Sequence, residues 1–251
     1  MNSSVKRSVL APSLIFLLGS LSLSAAAADS KPKTTLVDSG SFGIVVNGKR
    51  VATETFRVEQ GASSHLITSE LKLDDPNQKA AQTSVMEISS NGSLKKYTWK
   101  ETQPGKAQIV VQPQDDQFLS LLVYEDSGAP PKELTHALSP ITSIMDDNFF
   151  SHMQVLLWKY MAGGCRMGPD GQNQCVWNKQ QLPVLNPHQQ TSMLVSMEFV
   201  NVQKFTMKGK AHSYKTFKLK GETSEWVLWL NDENKLMRVV IAADNTEVVR
   251  D

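Results

Sequence analysis

The sequence predicts a mainly β protein: a curved antiparallel meander with one packed α-helix. Three observations carry this prediction. Apolar and polar residues alternate over many short runs, the pattern of strands with one buried face. The runs follow one another closely with no helical pattern between them, which argues for hairpins rather than crossover connections. One stretch near the middle of the chain departs from the two-residue period and takes up helical spacing.

Taken in order, the chain opens on Lys6 and Arg7, an apolar run over 9–23 and the small residues Ser24, Ala25, Ala26, Ala27 and Ala28. A basic start, an apolar middle and an Ala-x-Ala exit are the parts of a secretory signal peptide, expected over 1–28. Pro12 and Gly19 interrupt the run, which falls short of the ~20 apolar residues that cross a bilayer. The expectation is a periplasmic or secreted protein with no transmembrane segment once the signal is removed. No cysteine stands at the cleavage point to carry a lipoprotein anchor. Residues 29–35 read as a flexible leader and 36–251 as a single antiparallel β domain. Processing leaves 223 residues, within the ~250 that all-β domains reach as one unit. It also leaves 24 basic against 25 acidic residues, so nothing in the charge balance calls for nucleic acid.

The first hairpin pairs 42–46 with 51–58 across Asn47-Gly48, two residues that tolerate the positive φ of a type I′ turn. Ile67, Ser69, Leu71 and Leu73 then alternate with polar neighbours. Asn91-Gly92 repeats the turn signal between 85–88 and 94–99, where Tyr97 and Trp99 share one face. The same tripeptide, Asn91-Gly92-Ser93, matches a glycosylation sequon, but the turn explains it. Further strands are expected at 107–111, 118–124, 193–202, 214–219, 226–230 and 236–242. Segments 126–141 and 178–190 are proline-bearing and read as loops.

The helix is expected over about 148–162, where Phe149, Met153, Leu156 and Tyr160 follow one face. Asp146 or Asp147 is suited to cap its start, and Gly163-Gly164 to end it in left-handed geometry. Beyond it, Cys165 and Cys175 are the two cysteines of the chain. They flank a stretch rich in turn formers, and in an exported protein they read as a disulfide closing the loop 165–175.

Five histidines show neither His-x-x-x-His nor His-x-His spacing, and no Gly-x-Ser-x-Gly or Gly-x-Gly-x-x-Gly is present. No metal site and no cofactor are therefore expected. The densest polar group is Asp146-Asp147-Asn148 with His152 one helical turn on. It reads either as a helix cap beside a flank histidine, or as a base oriented by an acid. Trp158 and Val155 fall on the side of the helix away from the main stripe. That second apolar face is either covered by the proline-rich loops or lines a pocket for an apolar ligand.

The closing run Trp226-Val227-Leu228-Trp229-Leu230, the polar turn 231–235 and Leu236-Met237-Arg238-Val239 resemble the ending of exported bacterial half-barrel proteins of unknown function. The opening hairpin around Asn47-Gly48-Lys49 looks like their start. These families are similar in architecture to the lipoprotein carriers LolA and LolB. The resemblance implies a strongly curved half-barrel wrapped round a helix, with an inner face able to hold acyl chains. The expected function is a binding or envelope-maintenance protein, not an enzyme, with a lipid or acylated ligand touching Trp158, Val155 and His152. Two alternatives stand beside it: a module docking another envelope protein, and a hydrolase using His152 with Asp146 or Asp147.

Overall fold

The computed structural model describes residues 34–75, 80–126, 128–169, 171–207 and 210–251. The expected signal peptide, and the leader as far as residue 33, lie outside the described residues. Eight strands come first: β1 (Thr35–Val46), β2 (Lys49–Gln60), β3 (Ser64–Leu73), β4 (Ala81–Ser89), β5 (Leu94–Gln103), β6 (Gln108–Pro113), β7 (Leu119–Tyr124) and β8 (Lys132–His136). The short β9 (Ser143–Ile144) precedes the helix α1 (Ser151–Gly163), and a small hairpin of β10 (Cys165–Met167) and β11 (Asn173–Cys175) follows it. The chain finishes with β12 (Gln180–Asn186), β13 (Thr191–Met207), β14 (Lys210–Lys220), β15 (Glu225–Leu230), β16 (Leu236–Ile241) and β17 (Thr246–Arg250).

Fifteen of these strands form one sheet, in the order β8-β7-β6-β5-β4-β3-β2-β1-β17-β16-β15-β14-β13-β12-β9. All pairs are antiparallel except β12 with β9. Two meanders thus join where β1 pairs with β17, Phe42 opposite Arg250 and Val46 opposite Thr246. The sheet is large and curved and does not close into a barrel. Chain length shows how far it must curve. At ~4.8 Å per strand, fifteen strands measure about 65 Å from edge to edge. Yet β8 and β9, the two edges, are separated in sequence only by residues 137–142, a reach of about 25 Å when fully extended. The edges must therefore approach each other, and the strap 137–142 bridges the gap.

Alternation sets the inner face. In β2, Ala52, Glu54, Phe56 and Val58 are buried between exposed or half-buried neighbours, and in β5 Tyr97 and Trp99 turn inward. Phe42 stacks on Phe56 with centroids 4.9 Å apart at the seam of the meanders. Against this face lies α1, whose Met153, Leu156, Leu157 and Tyr160, with Phe149 and Phe150 just ahead of its first turn, anchor the core from the helix side.

Several local features differ from the sequence reading. Asn47 and Gly48 both have positive φ (51° and 76°), as a type I′ turn requires. At Asn91-Gly92 only the glycine does (82°). There Gly92 N–H donates to Ser89 O at 2.8 Å, giving a longer turn with a left-handed residue at its exit. The segments read as loops hold β8 and β12. Pro183 is tolerated inside β12 because the β9 pairing begins only at Val184, leaving that side of the strand open. The helix starts at Ser151 and runs to Gly163. Gly164 ends it without positive φ (−85°). Its need for glycine is space: a Cβ there would stand 2.5 Å from Trp177 Cδ1 and 2.9 Å from Val176 O. Cys165 and Cys175 face each other across β10–β11 and are bonded.

A cleft and a polar floor between helix and sheet

The polar residues of the inner face gather under the start of α1. Glu54 points inward from β2, and its carboxyl accepts the N–H groups of Phe150 (2.7 Å) and Ser151 (3.3 Å). The sheet, not the preceding acids, therefore caps the helix, against the expectation for Asp146 and Asp147. Ser69 Oγ from β3 meets Ser151 Oγ at 2.8 Å beside it. Full burial pushes the Glu54 carboxyl up to about 7, although hydrogen bonds from Ser151, Phe150 and Ser69 favour its charged form.

Asp146 is occupied elsewhere. It accepts the Tyr97 hydroxyl and, at 2.9 Å, the Asn148 N–H, and its Oδ2 lies 3.0 Å from His188 Nδ1. Burial raises this acid, but His188, His152 and the Tyr97 hydroxyl together hold it below its ordinary value. Asp147 turns outward to the side-chain amides of Asn186 and Gln189, each at 2.8 Å. The two acids are spent on fixing the loop into the helix, because the chain turns there and its own N–H groups need acceptors.

His152, 1 % exposed, meets Ser84 Oγ of β4 at 3.2 Å through Nε2. Its Nδ1 has no hydrogen-bond partner among the described residues. Burial lowers its pKa to about 4, so the ring is neutral at neutral pH. A serine and a histidine are thus paired, but among the described residues no carboxylate is hydrogen-bonded to the imidazole, since the bonds of Asp146 go to Tyr97 and Asn148. Ser84 Oγ is itself buried within the core. This geometry lacks the third member and the open approach that nucleophilic catalysis needs.

Further along the helix a cleft of about 570 Å³ opens between α1, strands β2–β5 and the strap. Val58, Ile67, Met86, Leu94, Ile144 and Leu156 make its floor, while Val37, Gln60, Asn91, Ile141 and Ala162 stand exposed at its rim. From His152 to Gly163 it follows the helix for about 16 Å at 1.5 Å per residue. All three residues singled out on the helix, Trp158, Val155 and His152, line this one cavity. The Trp158 indole N–H donates to Asn234 O at 2.6 Å, so its polar edge is held by the turn between β15 and β16 rather than by a proline-rich loop.

The sequence reading missed Glu54, Ser69, Ser84 and Lys159. The first three carried a signal: each falls in phase with the apolar, inward-facing positions of its strand. Lys159 is the one charged residue of the helix. Comparison of the chain with protein-family models, with curated proteins and with solved structures finds no match. No helix among the described residues is long and apolar enough to cross a membrane.

Proposed function

We propose that this is an exported binding protein that holds an apolar or amphipathic molecule, a lipid or an acylated ligand, between its curved sheet and its helix. The observation that supports the reading is the cleft itself: about 570 Å³, in the size range of small-molecule sites, apolar on its floor and open at a rim that carries Gln60, Asn91 and Lys159. A core meant only for stability would be filled by side chains, since interiors pack to crystal-like density. Proximity of Trp158 to the cleft supplies a readout. Protein purified from its own host under native conditions should carry a bound lipid in mass spectrometry. Stripped protein should take up one equivalent of a long-chain fatty acid, with a change in tryptophan emission. Stripped protein that takes up no fatty acid, phospholipid or acylated peptide would overturn the proposal.

A protein-docking role is the second reading. It is favoured by Met167 in the disulfide-closed hairpin and Val176 just after it, 74 % and 64 % exposed, where apolar side chains gain nothing from the fold. Cross-linking in the periplasm from position 167 would identify such a partner.

A further inference from the structure

Within the cleft, charge is distributed in a way that the apolar lining does not explain. Lys159 is its one charged side chain among the described residues, and no carboxylate lines it. The lysine is half-buried. Its Nζ donates to the Ile141 carbonyl, and more loosely to Gly92 O at 3.4 Å and Ser143 Oγ at 3.3 Å. All three acceptors are neutral. A cation drawn out of water toward an apolar wall with no counter-ion is costly, and such groups are ordinarily paired. Desolvation accordingly lowers the lysine pKa to about 8.

From this placement we infer that the cleft selects single-chain amphiphiles with a compact anionic head, a carboxylate or a phosphate, seated on Lys159 with the chain along the apolar floor. The inference rests on the binding function proposed above and adds the class of ligand. The two long contacts, to Gly92 and Ser143, are the ones an anionic oxygen displaces, and Ser143 Oγ–H is then free to donate to the same head. The remaining bond to Ile141 O keeps the ammonium at the edge of the strap. Head and chain are thus assigned to the rim and the floor of one cavity: Lys159 with Asn91 and Ile141 at the rim, and Ile67, Met86 and Leu156 within. The ion pair compensates the buried charge in a medium where it is screened less than in water.

The experiment uses stripped full-length processed protein and competition against a fluorescent fatty acid at pH 7. Hexadecanoate, hexadecyl phosphate, hexadecanol and methyl hexadecanoate share a chain and differ in the head. The expected result is at least tenfold tighter binding of one or both anions than of the alcohol and the ester. The tighter of the two anions identifies the head as carboxylate or phosphate. In Lys159→Met that preference should disappear while hexadecanol still binds, which also reports an intact cleft. Lys159→Arg should retain the preference, and Lys159→Gln, which keeps a donor for Ile141 O, should lose it even where Lys159→Met does not fold. Equal affinity for all four heads in the wild type, or an anion preference that survives in Lys159→Gln, would overturn this inference and leave the binding function standing. Failure of all four to bind would overturn both.

Discussion

Glu54 and His152 are both buried at the start of the helix and shift in opposite senses, which makes the pH dependence of folding a direct test of this polar cluster. Burial moves Glu54 from 4.5 up to about 7. Between those values the folded protein keeps the proton and the unfolded chain releases it. The contribution of Glu54 to stability therefore falls as pH rises through this window, by about 3 kcal/mol at ~1.4 kcal/mol per pH unit. His152 moves from 6.5 down to about 4. Between those values the unfolded chain takes up a proton that the folded one refuses, so stability falls as pH drops, again by about 3 kcal/mol. From pH 4.5 to 6.5 the two slopes oppose each other, and the wild type should be nearly flat. Asp146, held below its ordinary 3.8, loses its contribution only at more acidic pH.

Single substitutions uncover each slope. Glu54→Gln keeps an oxygen for the Phe150 and Ser151 N–H groups but does not titrate. Its stability relative to wild type should rise by about 3 kcal/mol between pH 4.5 and 7. His152→Asn should show the reverse profile, losing stability steadily as pH increases over the same range. The measurement is urea unfolding followed by tryptophan fluorescence in half-unit steps from pH 4 to 8, with the disulfide intact. A constant gap between Glu54→Gln and wild type across that range would show that Glu54 is not the buried, proton-holding cap described here.

Other consequences are as specific. Asp38 is buried beneath Arg250, with Arg250 Nη2 to Oδ1 at 2.7 Å and Nη1 to Oδ2 at 3.0 Å; Asp38→Ala strands that guanidinium and should cost about 3–5 kcal/mol in urea unfolding. Gly164→Ala forces a Cβ against Trp177 and Val176 O, and should lower stability by about 1–3 kcal/mol in the same assay. Reduction, or Cys165→Ser with Cys175→Ser, removes a ten-residue loop closure and should cost about 2–3 kcal/mol by chain entropy, read as a lower Tm than that of the oxidised protein.

Strands such as β2 and β5 were legible because one face of each is wet. Glu54 shows where that legibility ends. In the run from Val51 to Val58 its position in the alternation is inward, but its type suggested solvent, and only the arrival of the helix N-terminus from a hundred residues away explains the burial. Asp146 and Asp147 illustrate the reverse: local capping rules fitted them well, yet Tyr97, His188, Asn186 and Gln189 claim them through contacts that no local window contains. Strand β17 was missed for the same reason. Its five residues have value only because β1, two hundred positions earlier, pairs with them. Trp158, Val155 and His152 were found together because helical periodicity is local, whereas the cleft they line also needs the strap, which read as a loop.

The polar contacts of the helix bear on why a cleft can persist in so apolar an interior. Apolar packing alone would let a helix slide or roll within a trough lined by Leu, Ile and Phe, closing any space along it. Three pins oppose this. Ser151 is tied to β2 and β3 through Glu54 and Ser69, and His152 to β4 through Ser84. Gln154 donates to Asp38 Oδ2 of β1 at 2.8 Å and accepts the Leu236 N–H of β16 at 2.7 Å. Each bond is directional and buried, so a displacement of the helix by one residue would leave several polar groups unpaired at about 1–3 kcal/mol each. All three lie in the first turn, and they reach strands on both sides of the β1–β17 seam, which fixes roll as well as translation. Among the described residues, the second half of the helix, from Val155 to Gly163, makes no such bond to strands β2–β5, and the cleft runs along it. Loosening the pins should therefore shrink the cavity before it unfolds the protein: Gln154→Leu is expected to reduce fatty-acid uptake while retaining cooperative unfolding. Unchanged uptake in that variant would show that the space is held open by the strap rather than by the helix start.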